Sequence, residues 1–259
     1  MILEALGVRR GDVVALAGAG GKTTLCYRIA AEARAAGWSV LVTTTTHMGA
    51  LPGATTGPVL IEADGDVSAG LRRALAEERR ATLLGRRLRD DKLEGIPKER
   101  VDELAPLADL VVVEADGARQ RSLKTPAPHE PVIPASARLL VVVAALDVLG
   151  QPLCEERVHR LERVLVATGR AKGDVCDEAA LVTTLCDPAG YPARLHHGMR
   201  AGVFLNKVEQ ASDWPPAKRI AASLLPPYHF VAAGSASSGD ARLLAGQPSR
   251  PDDGRSLPP

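Results

Sequence analysis

The stretch Val13-Val-Ala-Leu-Ala-Gly-Ala-Gly-Gly-Lys-Thr-Thr24 decides the fold class of this 259-residue chain. Val13 to Ala17 are apolar without interruption and read as a buried strand. Glycines follow at positions 18, 20 and 21. Lys22, Thr23 and Thr24 then open a segment of helical period, with Leu25, Cys26, Ile29, Ala30 and Ala33 on one face. Strand, glycine-rich turn, Lys-Thr and helix, in that order, make a phosphate-binding loop. The glycines let backbone N–H groups curl around an anion with no Cβ in the way, and the helix N-terminus adds unpaired donors and the positive end of its dipole. Gly18, Ala19, Gly20, Gly21, Lys22, Thr23 and Thr24 are therefore the expected phosphate contacts, with Lys22 reaching the outer phosphates and the Thr23 hydroxyl ligating Mg²⁺.

The commoner loop, G-x-x-x-x-G-K-[ST], needs a glycine where Leu16 stands. The tighter loop here is closer to the short loops of Mur-type ligases. An ordinary glycine turn leaves the Lys-Thr-Thr unexplained, and a dinucleotide fingerprint fits G-x-x-G-K-T poorly.

The rest of the chain supports one α/β domain, expected over residues 1–244, with a disordered tail over 245–259. Lys plus Arg (32) and Asp plus Glu (31) nearly cancel, which argues against a general nucleic-acid or membrane surface. No apolar run reaches the length of a membrane span, and the N-terminus lacks a secretory pattern. Cys26, Cys154, Cys176 and Cys186 are scattered, with neither disulfide-framework nor zinc-site spacing. A cytoplasmic protein is the simplest expectation.

Strands are expected at 13–17, 39–42, 59–61, 110–113, 138–144, 201–205 and 229–232, and helices at 22–36, 67–80, 98–107, 155–168, 177–186 and 217–225. Alternation of this kind predicts a mainly parallel twisted sheet with helices on both faces. The 39–42 strand runs into four threonines and His47. Threonine suits a strand end, but carboxyl ends of parallel strands converge on the ligand crevice, so Thr45 and Thr46 are also candidate metal or phosphate ligands. The arginine-rich stretch 79–89 reads as a solvated basic face or, failing that, a site for an anionic partner.

After the 110–113 strand come Glu114, Ala115, Asp116 and Gly117. If the chain stays extended there, Glu114 and Asp116 share a face, where one holds magnesium with Thr23 and the other orients an attacking water. The proline-rich stretch 118–134 carries Arg119, Arg121, Lys124, His129 and Glu130, and so soon after two acids it reads as a substrate or phosphate loop. Asp147-Val-Leu-Gly150 is a weak D-x-x-G match, and His196-His197 read as surface residues of a turn.

Taken in succession, Gly18 to Thr24, Thr43 to His47, Val111 to Gly117, Leu123-Lys-Thr-Pro-Ala-Pro-His-Glu-Pro-Val-Ile-Pro134 and Leu205-Asn-Lys-Val-Glu209 resemble the YqeC family, proposed accessory proteins of selenium-dependent hydroxylases. The resemblance runs from about Gly11 to Gly234, and Pro-His-Glu-Pro is its most specific part. It implies a P-loop α/β fold, a bacterial cytoplasmic protein and a role in maturing a molybdenum hydroxylase, with that enzyme or its cofactor-maturation proteins as partners. Asn206, Lys207 and Glu209 then correspond to the Asn-Lys-x-Asp of GTPases, with Glu209 in place of the aspartate. ATP or GTP with Mg²⁺ is the expected ligand. A small-molecule kinase or ligase taking its acceptor on the 118–134 loop, and a nucleotide-binding cofactor carrier without turnover, are the alternatives.

Overall fold

A computed structural model describes residues 1–48, 57–89, 92–195 and 198–248; His196 and His197 lie outside the described residues. The phosphate loop joins strand β1 (Val13–Gly18) to helix α2 (Lys22–Ala35), and the short helix α1 (Ile2–Leu6) precedes them. All seven expected strands enter one nine-stranded sheet: β1, β2 (Val40–Thr44), β4 (Val59–Ile61), β8 (Leu110–Glu114), β10 (Leu139–Ala145), β12 (Arg200–Asn206) and β13 (Phe230–Gly234). Two further strands join them, β5 (Arg80–Leu84) and β14 (Ala241–Gly246). The order is β14-β13-β12-β10-β1-β8-β2-β5-β4, with every pair parallel except β13 and β14.

Alternation along each strand divides the core between two faces. Val14 and Leu16 of β1, Leu110 and Val112 of β8, and Leu139, Val141 and Val143 of β10 pack under α1 and α2. Val13, Ala15, Ala17, Val111, Val113, Leu140 and Val142 face the other way. They are covered by α3 (Ser68–Glu77), α4 (Lys98–Leu104), α5 (Leu161–Thr168), α6 (Glu178–Cys186) and α7 (Trp214–Ser223). Helices thus cover both faces, as expected. The chain places β8 and β2 on one side of β1 and β10 and β12 on the other, so β1 is the point at which strand order reverses. Crevices at such points collect ligands.

Four expectations need correction. The 79–89 stretch is not one basic face: Ala81 to Leu84 are buried in β5 between β2 and β4, and the exposed arginines fall on β6 (Arg86–Arg89). β6 forms a small antiparallel sheet with β7 (Lys92–Glu94) and β3 (His47–Met48). The expected 155–168 helix begins only at Leu161, because Val158 and His159 form β11 (Val158–His159), paired in parallel with Leu123 and Lys124 of β9 (Leu123–Lys124). The tail expected from Ala245 starts too early, since Ala245 and Gly246 complete the edge strand and Gln247 N–H bonds the His229 carbonyl. The 118–134 stretch, expected as a substrate or phosphate loop, is packed in its middle: Leu123, Lys124, Thr125 and Ala127 are buried, while Arg119 and His129 are exposed.

Candidate phosphate-binding site

The loop closes at the carboxyl end of β1 with Gly18, Gly20 and Gly21 at φ 97°, 85° and 117°. A side chain at Gly20 would collide with the Ala145 Cβ at 2.4 Å, and one at Gly21 with the Asn206 Nδ2 at 2.4 Å. Close approach as well as left-handed geometry therefore requires glycine at both. The Gly18 N–H is donated to Asp116 Oδ2 (3.1 Å) and the Ala19 N–H to the Val143 carbonyl (2.8 Å). These two residues shape the loop and are not anion donors, which corrects their expected role. The next five N–H groups, of Gly20, Gly21, Lys22, Thr23 and Thr24, take no partner among the described residues. Five successive free donors at a helix N-terminus form an anion cradle.

Sheet register brings the acids to the cradle. Leu16 of β1 and Thr44 of β2 both align with Glu114, the last residue of β8. The Thr23 hydroxyl donates to Glu114 Oε2 (2.8 Å), and Lys22 Nζ lies 3.9 Å from Glu114 Oε1, 3.2 Å from Asp116 Oδ1 and 2.7 Å from the Gly18 carbonyl. Glu114 and Asp116 do share a face, as extended geometry requires. Burial alone would pull the Lys22 pKa down, but the two carboxylates outweigh it and hold the ammonium above the ordinary lysine value. Burial raises the Glu114 pKa, against the opposing pull of Lys22 and of the Thr23 hydrogen bond.

The two acids differ in what else they touch. Asp116 is fully buried; its Oδ2 takes the Gly18 N–H, Lys124 Nζ (2.9 Å) and the Tyr191 hydroxyl (3.4 Å). Its Oδ2 is thus fully committed within the protein, which leaves only Oδ1, beside Lys22, for the expected role of orienting water. Glu114, paired with Thr23, offers two adjacent hard oxygens, a donor set that suits Mg²⁺ completed by phosphate oxygens and water. Thr45 is turned elsewhere, its hydroxyl donating to the Val132 carbonyl at 2.7 Å. Thr44 and Thr43 bond the Glu114 and Leu83 carbonyls. Thr45 and Thr46 instead border a cavity of about 650 Å³ with His47, Arg86, Glu94 and Gly95.

Lys124 of the 118–134 stretch is 1% exposed and bonds Asp116, Glu130 Oε2 (2.8 Å) and the Gly117 carbonyl (2.5 Å). Arg160 completes the cluster at 2.6 Å from Glu130. Burial raises the Glu130 pKa, but the Lys124 and Arg160 contacts prevail and bring it down to about 2. Burial and the neighbouring Arg160 and Lys124 take His159 down to about 4. Tyr191 and Arg160 were not anticipated. Their contacts to Asp116 and Glu130 span long sequence separations, and no local pattern marks them.

At the other end of the loop, Asn206 donates Nδ2 to the Gly20 carbonyl (2.7 Å) and accepts the Ala236 N–H on Oδ1 (2.9 Å). Its amide thus ties the phosphate loop to the loop after β13. Lys207, at φ 61°, pairs with Asp147 at 2.6 Å. Glu209 Oε1 accepts the Ser235 and Ser237 hydroxyls (2.9 and 3.3 Å), and Glu209 lines a second cavity of about 600 Å³ with Trp214 and Arg242.

A phosphate loop, a Thr-Glu pair and an Asn-Lys-x-Glu strand end now stand together. A family model described as YqeC protein matches residues 14–162. The uncharacterized protein YqeC of Escherichia coli (strain K12) is 31% identical over 216 residues, covering 82% of each chain. The chain belongs to the YqeC family. Among solved structures, this YqeC-family chain is similar to chloroplast FtsY from Physcomitrella patens, at 14% identity and TM-score 0.46, over 94% of this chain and 65% of that one. FtsY from Mycoplasma mycoides gives 12% and 0.41, over 92% and 63%, so the chain spans less than two thirds of either FtsY structure. No helix among the described residues is long and apolar enough to cross a membrane.

Proposed function

We propose that this chain binds a purine nucleoside triphosphate with Mg²⁺, hydrolyses it, and through that cycle serves the maturation of a molybdenum hydroxylase of the selenium-dependent type in the cytoplasm. One observation carries the nucleotide reading: five consecutive N–H groups, without partners among the described residues, run through Lys22 and the Thr23 that pairs with Glu114. In this reading the backbone from Gly20 to Thr24 cradles the phosphates, Lys22 neutralises their charge, and Thr23 with Glu114 holds the magnesium. The metal would offset charge building on the outer phosphates. Asn206 fixes the phosphate loop relative to the base end, where Lys207 flanks the ring and Glu209 accepts from the base. Guanine, with two adjacent donors, suits a carboxylate better than adenine does, which favours GTP. The maturation role rests on family resemblance. Binding of ATP and GTP with and without Mg²⁺, followed by product analysis, tests the first part. Co-purification from the native host, with identification of bound nucleotide and protein, tests the second.

The cavity beside Thr45 and Thr46 favours one other reading, phosphoryl transfer to a small acceptor seated there. The 118–134 stretch is a poor acceptor site, because Lys124 and Glu130 are committed to each other and to Asp116. Inorganic phosphate as the sole product supports hydrolysis, whereas a phosphorylated acceptor supports transfer.

A further inference from the structure

Five charges alternate in sign from the phosphate loop outward: Lys22, Asp116, Lys124, Glu130 and Arg160, with successive separations of 3.2, 2.9, 2.8 and 2.6 Å. The inner three are 4%, 0% and 1% exposed, so the Asp116 carboxylate among them depends on a cation at hand. Lys22 cannot lean on Asp116 and on an incoming phosphate equally. We propose that Lys124 is a positioning residue that releases Lys22 to the phosphates, by supplying Asp116 with a second cation that stays when Lys22 turns away. The inference rests on the phosphate-binding reading above.

Three features support it. The hold of Lys22 on Asp116 is the longer one, at 3.2 Å against 2.9 Å, and reaches Oδ1, which takes no other hydrogen bond among the described residues. Oδ2 carries Lys124, the Gly18 N–H and the Tyr191 hydroxyl, and none of these contacts involves Lys22. The charges also divide cleanly. When Lys22 and Glu114 turn to a magnesium triphosphate, Asp116, Lys124, Glu130 and Arg160 remain as two anions and two cations, neutral as a buried group. Finally, Lys124 is held independently of the phosphate loop. The β9–β11 pairing sets it opposite His159, its ammonium donates to the Gly117 carbonyl, and the left-handed turn at Arg160 (φ 59°) brings that guanidinium onto Glu130.

The test is a coupling cycle on nucleotide affinity, read by equilibrium binding of GTP and ATP both with Mg²⁺ and in EDTA, on variants checked for folding by circular dichroism. Lys124→Met leaves Lys22 as the one cation near Asp116, and affinity should fall about tenfold or more. Lys124→Arg should retain most of it. On an Asp116→Asn background the carboxylate that Lys124 shares with Lys22 is gone, and adding Lys124→Met should then change affinity by less than about threefold. If Lys124→Met alone does not fold, Lys124→Gln takes its place in the cycle with the same expected loss. A tenfold loss on that background, or an unchanged affinity in folded Lys124→Met, overturns the proposal. Lys22→Ala in the same assay separates the two readings: a loss there with none for Lys124→Met sinks only the role of Lys124, whereas no loss for Lys22→Ala sinks the phosphate site itself.

Discussion

The Thr23 hydroxyl donates to Glu114 Oε2 at 2.8 Å, joining the first turn of α2 to the end of β8 across 91 residues of chain. No local preference produces that contact. It exists because β1 and β8 are neighbours in parallel register, so the residue that ends β8 arrives beside the first turn of α2. The pair is the reason Glu114, rather than Asp116, is the acid proposed to hold the metal.

Glu114→Gln keeps the shape of the Thr23 contact and removes the charge. The Mg²⁺ concentration for half-maximal nucleotide binding or turnover should rise on the order of tenfold, the loss of one charge-assisted ligand. Titration of Mg²⁺ at saturating nucleotide measures it. An unshifted curve would exclude Glu114 from the metal site.

Gly21→Ala places a methyl group 2.4 Å from the Asn206 amide at a backbone φ of 117°. Strain and collision together should lower stability by roughly 1–3 kcal/mol and weaken phosphate binding, because Asn206 is displaced from the Gly20 carbonyl. Thermal unfolding and nucleotide titration of one sample read both effects. A variant with wild-type stability would show that the loop is not as tightly packed as described.

Glu130 supports a pH prediction. Its pKa of about 2 lies below its ordinary value of 4.5, so the folded state holds its proton more weakly than the unfolded state does. The stability it contributes is complete above about pH 4.5 and disappears as pH falls toward 2. Because the carboxylate is largely buried, that contribution is on the order of 2–3 kcal/mol. Denaturant midpoints across this window should fall less steeply for Glu130→Gln than for the wild type, and parallel curves would count against the ion-pair cluster.

The base end makes a prediction of its own. Oε1 of Glu209 holds Ser235 and Ser237, and the residue lines a cavity. If it accepts from guanine, GTP should displace a fluorescent nucleotide better than ATP, with discrimination of roughly 1–3 kcal/mol by analogy with base-edge readout. Glu209→Gln should then erase the preference. Equal competition in the wild type would remove the guanine assignment and leave the phosphate site as it is.

Central strands were legible because burial on both faces leaves nothing but apolar residues, as in Val13 to Ala17 and Leu139 to Ala145. β5 was hidden by its flanks: Arg80 opens it and Arg86 follows closely, so a buried four-residue run looked like part of a basic surface. β14 is a half-exposed edge strand, and its Leu-Leu-Ala-Gly merges with the polar tail in composition. Val158 stands three residues before Leu161, which suits a helix, yet pairing with Leu123 draws it into a strand. The phosphate loop and Glu114 were legible because their chemistry is local. The different contacts of Glu114 and Asp116 were not, since Lys124 and Tyr191, which bond Asp116, come from other segments.

The most direct measurement is calorimetric titration of magnesium nucleotide into the wild type and into folded Lys22→Ala. Triphosphate should bind the wild type and bind the variant at least about tenfold more weakly, the loss of one charge-assisted phosphate contact. Equal affinity in the two proteins, or no binding of either ATP or GTP to the wild type, would contradict the phosphate site at the end of β1.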